Sequence, residues 1–120
     1  MKAAIKQQDL SNEYYFQEGC FIIELSNSSD DPDISIAQAR VKVGVTTRWH
    51  RLKDTIERYY IVSGCGRVEV GDLPTQDVTC GDIVLIPSMC RQRISNTGDE
   101  DLIFLAICSP PFSSNIYIED

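Results

Sequence analysis

His50 is the one histidine among 120 residues, and Glu57 follows seven positions later. An imidazole and a carboxylate held together can pass protons to and from a substrate, the carboxylate tuning the ring, or serve as two ligands of a divalent metal. Proton transfer needs only the pair, whereas a tight transition-metal site wants about three or four good donors. Gln92 could add a neutral amide oxygen, so a metal held by His50, Glu57 and Gln92 would be bound weakly.

Strand alternation groups these residues with others. Side chains two apart share a face, which places Arg48, His50 and Leu52 together, then Glu57, Tyr59 and Ile61, then Cys90, Gln92 and Ile94. Arg48, Leu52, Tyr59, Cys90 and Gln92 are accordingly the candidate ligand contacts around the His50–Glu57 pair. Plainer readings compete: His50 as a hydrogen-bonded interior residue, and Cys90 as a small buried hydrophobe. Glu57 resists such a reading. A carboxylate among Tyr, Ile and Val is costly to bury unpaired, so it must hold His50, Arg48, a metal or a ligand hydroxyl. Trp49 alternates outward from His50.

The elements that must position these side chains are short strands. "CFIIEL", "ISIAQARVKV", "ERYYIV", "RVEV", "DIVLIP", "RQRIS" and "DLIFLAIC" are rich in Ile, Val, Leu, Phe and Tyr and are separated by Gly, Pro, Asp, Asn or Ser. "NSSDDPD", "SGCG" and "NTGDED" carry turn chemistry between them. No segment has a strong helical period, so the chain is all-β, a sandwich or small barrel.

Composition narrows the function. The chain is long enough for one modest core, and residues 1–120 are expected to form one domain. A net charge of −7 argues against a nucleic acid or an anionic membrane as partner. Nine of the 11 Lys and Arg residues nonetheless lie between Arg40 and Arg93, against six acids, and these cations are expected chiefly on solvated outward positions. The apolar run Leu102 to Cys108 is far short of the roughly 20 residues that span a bilayer. Five cysteines, an odd number without a Cys-x-x-Cys pair, fit reduced thiols and a cytoplasmic protein.

Two stretches carry a more specific pattern. Gly44, His50, Glu57 and Gly64 form one, and "GDIVLIPSMCRQRISN", with Gly81, Pro87, Gln92 and Asn96, forms the other. Together they resemble the two signature motifs of the cupin superfamily, and the region around them is similar to small mannose-6-phosphate-isomerase-like bacterial cupins. The resemblance implies a double-stranded β-helix, a jelly-roll barrel with its site inside, over a core of about 34–109. It leaves N-terminal strands in 1–33 and a tail at 110–120. Metal-binding members of that family use His-x-His, Glu and a final His around one ion. Here Leu52 stands for the second histidine, Gln92 for the last, and Met89 for a glycine of the second motif.

Two functions follow. One is a small-molecule-binding cupin with a degenerate or weak metal centre, its ligand a small anionic metabolite or sugar derivative, since Arg48 is expected near the mouth. The other is a cupin enzyme, a sugar isomerase or epimerase, lyase or dioxygenase, using His50 and Glu57 with or without Mn, Fe, Ni or Zn. A homodimer is expected, because the apolar residues of "CFIIEL" and "YYF" have no evident use within one chain.

Overall fold

Alternation of apolar and polar side chains, with a turn residue wherever it stops, produces the structure. The computed structural model describes residues 1–120. Its eleven strands are β1 Tyr14–Phe16, β2 Cys20–Ser26, β3 Ser35–Val41, β4 His50–Leu52, β5 Ile56–Ser63, β6 Cys65–Val70, β7 Gln76–Thr79, β8 Ile83–Ile86, β9 Gln92–Asn96, β10 Leu102–Ser109 and β11 Tyr117–Glu119. They form a six-stranded sheet, β1-β2-β3-β10-β5-β8, and a five-stranded sheet, β11-β4-β9-β6-β7. Every pairing is antiparallel. No helix is long and apolar enough to cross a membrane.

The jelly roll expected from the sequence is present, as two sheets that face one another across a shared core and whose edges do not ladder together into a closed barrel. Its edge strands β1, β7, β8 and β11 are only three or four residues long, too short to stitch one sheet to the other. Val41, Ile61, Ile94, Leu102 and Phe104 fill the space between them. Each such side chain contributes about 1.5–3 kcal/mol by leaving water.

Both chain ends belong to this architecture. Cys20, Ile22 and Ile23 of "CFIIEL" are buried, and Phe16 packs against the core, so these residues do have a use within one chain. The tail carries β11, whose Tyr117 and Glu119 lie opposite Leu52 and His50 of β4.

Turn chemistry sets where the site strands begin. Gly64 (φ 87°) sits between β5 and β6, where an added Cβ would lie 2.7 Å from the Asp101 carbonyl oxygen. Asn96 closes the turn before β10. Its amide donates to the carbonyls of Val41 and Glu100, at 2.9 and 2.7 Å, and its Oδ1 accepts from the Gly98 N–H. Met89 holds a left-handed backbone, φ 63°.

Outside the second sheet, the locally basic middle of the sequence is largely ion-paired. Trp49 lies under the guanidinium groups of Arg91 and Arg93, Arg93 pairs with Glu69, and Arg51 with Asp120. The guanidinium groups stack on the ring face, and the ring is outward, as alternation requires.

Candidate functional site

Three strands deliver the motif side chains to the interior. Glu57, Tyr59 and Ile61 all point inward from β5, because burial alternates along the strand. Gln92 and Ile94 do so from β9, and His50 and Leu52 from β4. His50 and Gln92 are directly opposed across the β4–β9 pair.

These residues form two hydrogen-bonded clusters. In the first, the Tyr59 hydroxyl donates to Gln92 Oε1 at 2.6 Å, and Gln92 Nε2 donates to Glu57 Oε1 at 2.7 Å. The Cys108 thiol approaches Glu57 Oε2 at 3.8 Å. In the second, His50 Nδ1 donates to the Arg48 carbonyl at 2.8 Å, and Nε2 lies 3.1 Å from Glu18 Oε2. A carbonyl only accepts, so Nδ1 carries the hydrogen of that bond and Nε2 faces the Glu18 carboxyl. The Cys20 thiol donates to the other Glu18 oxygen at 3.2 Å, and the ring stacks on Tyr117 at 5.1 Å.

Burial dominates the electrostatics. It raises the Glu57 carboxyl from 4.5 to about 8, and the nearby Glu18 charge adds to the effect, while the Gln92 amide and Cys108 thiol oppose it. Tyr59 is raised well above its ordinary value for the same first reason, helped by Glu57 and Glu18. Burial likewise pushes the Cys20 and Cys108 thiols up, so both stay protonated and are poor nucleophiles.

Next to the clusters, on the inner face of the six-stranded sheet, lies a cavity of about 40 Å³. Glu18, Glu24 and Glu57 reach its wall, with Tyr14, Phe16 and Phe112. Of the sequence candidates only Glu57 lines it. His50, Tyr59 and Gln92 stand behind, bonded to Glu18, to each other or to Glu57. Leu52 is buried at the far end of β4, and Cys90 is half-buried against Gly71. Arg48 does not face inward: its side chain is 59% exposed, donates to the Gln17 carbonyl and pairs with Glu119. Alternation fails for Arg48 and Cys90 because β4 starts only at His50 and β9 only at Gln92. Glu18, Glu24 and the three aromatic residues were missed. Glu24 had a readable signal, since it follows Cys20 and Ile22 at period two; Glu18 lies in a turn with no pattern to show it.

Comparison with known proteins bears on this arrangement. The cupin-domain family matches residues 37–108, which hold both motifs. The chain is a cupin. It is 31% identical to the uncharacterised protein MJ1618 of Methanocaldococcus jannaschii over 115 residues, 94% of this chain and 91% of that one. Among solved structures it is similar to oxalate decarboxylase of Lactobacillus farciminis, with TM-score 0.75 and 27% identity over 89% of this chain. It spans only 32% of that protein's length. The Streptomyces nucleoside dehydratase Pac13 shares the fold at TM-score 0.77, with 14% identity over 98% of this chain and 92% of that one.

As a cupin the chain invites a metal at His50, Glu57 and Gln92, and its donors do not fit one. Both imidazole nitrogens of His50 are engaged by protein partners, the Gln92 amide is used in both directions, and Leu52 offers no donor. No three His, Cys, Asp or Glu side chains converge closely enough to hold an ion. The tyrosine and carboxylates take the bonds that a metal would need.

Proposed function

We propose that this cupin binds a small molecule without a metal, in the cavity walled by Glu18, Glu24 and Glu57. The observation that carries the reading is the position of Glu57: a buried carboxyl at the cavity wall, fixed from behind by Gln92 and Tyr59. Such backing is what holds a ligand-contacting group in one geometry. The outward Arg48 leaves the earlier expectation of an anionic ligand without its cation. Carboxyl groups favour ligands that offer donors, such as the hydroxyls of a sugar derivative or an amine. The five free thiols fit action in the cytoplasm.

A thermal-shift screen of small polyols, amines and acids tests this. A ligand at about 100 times its Kd would stabilise the protein by about 2.7 kcal/mol. Ala106 lines the cavity, so Ala106→Leu should fill it and abolish the shift. If no compound shifts the melting curve, or if Ala106→Leu binds as the parent does, the reading fails.

One observation favours a second reading, acid–base catalysis. A carboxyl held near 8 keeps its proton at neutral pH and can give it to a bound carbonyl or hydroxyl oxygen, then recover it. Deuterium uptake from heavy water into a sugar or keto-acid substrate, lost in Glu57→Gln, would place the enzyme reading first.

A further inference from the structure

At about 40 Å³ the cavity has room for a few water molecules, whereas pockets that enclose small organic ligands run from about 300 Å³ upward. A polyol or sugar derivative therefore needs a wall that moves. Much of the wall is fixed: Ile22, Ala37, Glu57, Ala106 and Cys108 stand on β2, β3, β5 and β10, each paired on both sides within the six-stranded sheet. The C-terminal tail backs another part. Phe16 has the rings of Phe112 and Tyr117 edge-on against it, with centroids at 6.0 and 5.1 Å. Tyr117 also stacks on His50 at 5.1 Å, so one side chain covers both the Phe16 wall and the imidazole.

The hold on this tail is light. Phe112 is anchored, its N–H donating to Ser35 Oγ at 2.9 Å and its carbonyl accepting from Asn27 Nδ2 at 2.8 Å. Ser113, Ser114 and Asn115 follow, all exposed, and β11 then pairs through three residues with β4, itself three residues long. The ion pairs Arg48–Glu119, Arg51–Asp120 and Arg91–Asp120 add to the hold, but each has an arginine open to solvent, where such pairs are weak. Closure also strands a polar group. The Tyr117 hydroxyl is buried without a hydrogen-bond partner in the protein, a cost that only an open form relieves by returning it to water.

We propose that residues 113–120 are a lid that pivots after Phe112, with Tyr117 as its plug, and that a ligand is held with Tyr117 withdrawn. This rests on the cavity being the ligand site. It deepens that reading by naming the element that admits the ligand and the space, between Phe16 and His50, that the ligand gains.

Two conservative substitutions move such a lid in opposite directions. Asp120→Asn removes the charge shared by Arg51 and Arg91 and favours opening. Tyr117→Phe keeps the ring, removes the stranded hydroxyl and favours closure. The one histidine reports the result, because His50 is 2% exposed and diethyl pyrocarbonate reaches its ring only when it is uncovered. At neutral pH, modification of His50 should run at least threefold faster in Asp120→Asn than in the parent and at least threefold slower in Tyr117→Phe. The Lys53 amide, which donates to the Ile116 carbonyl, should exchange in heavy water in the same order, and ahead of the amides of β5 and β10. Compounds that shift the parent's melting curve, with glycerol, ethanolamine and lactate among those tried, should bind Asp120→Asn more tightly and Tyr117→Phe more weakly by similar factors. Affinity scales with the open fraction. If His50 reacts at one rate in all three proteins, or only as β5 and β10 exchange, the tail does not open by itself; the lid falls and the cavity reading stands. The same holds if the tail opens in the expected order while affinities stay equal, since it then does not cover the ligand. If no compound shifts any of the three proteins, the cavity reading fails and the lid, with nothing to admit, falls with it.

Discussion

Glu57 ties stability to pH with a sign opposite to that of most carboxylates. Folding raises its pKa from 4.5 to about 8, so between those values the native state holds a proton that the unfolded chain has released. Its stabilising contribution is complete below the lower value and is lost as pH rises toward the upper, at up to about 1.4 kcal/mol per pH unit. Glu57→Gln keeps an oxygen to accept from Gln92 and removes the titration. Urea unfolding from about pH 5 to about pH 8 should show the parent weakening relative to the variant, and parallel curves would mean that Glu57 is ionised in the native protein. Much of this residue's setting was legible in the sequence. A carboxylate at the parity of Tyr59 and Ile61 had to be inward and had to be held. Gln92 as its holder was not legible, because it depends on the registry of β5 and β9 in different sheets.

At the scale of elements, the two motifs mark turns as much as ligands. Gly64 has both a positive φ and a backbone carbonyl in the place a side chain would take. Gly64→Ala should therefore cost at least about 2 kcal/mol, read as a lowered urea midpoint. Met89 is the reverse case, a side chain at φ 63° where the family motif has glycine. The left-handed backbone costs a non-glycine residue roughly 1–2 kcal/mol, part of which glycine's greater unfolded freedom offsets. Met89→Gly should stabilise the chain by up to about 1 kcal/mol, and a lowered melting temperature would show that the exposed methionine makes contacts worth more than the strain. Strands with five or more alternating residues were readable. β7 and β11 were not, since "QDVT" and "YIE" are too short for a period to show, and β11 exists because β4 offers it an edge.

On the whole molecule, the outer face of the six-stranded sheet is the surface best suited to a second copy. Tyr60 lies opposite Leu105 on one side and Ile83 on the other, and Arg58 lies opposite Ile107 and Leu85, so β10, β5 and β8 present contiguous apolar rows. Ile83 and Leu85 are 56% and 68% exposed, and β8 is an unpaired sheet edge. Exposed apolar rows at an open edge favour association, and a two-fold axis would let each copy cover the other's β8. We expect a homodimer through this face; of the N-terminal strands, first read as the contact, Cys20, Ile22 and Ile23 are buried within the single chain, while Tyr14 and Tyr15 stay exposed. Light scattering at micromolar concentration should give twice the 13.5 kDa mass of the chain. Leu85→Glu should return it to 13.5 kDa without loss of folding, because the side chain touches solvent in a single copy and only a partner would exclude the charge. A parent that stays at 13.5 kDa would leave the face free, and a Leu85→Glu protein that still dimerises would move the contact elsewhere on the surface.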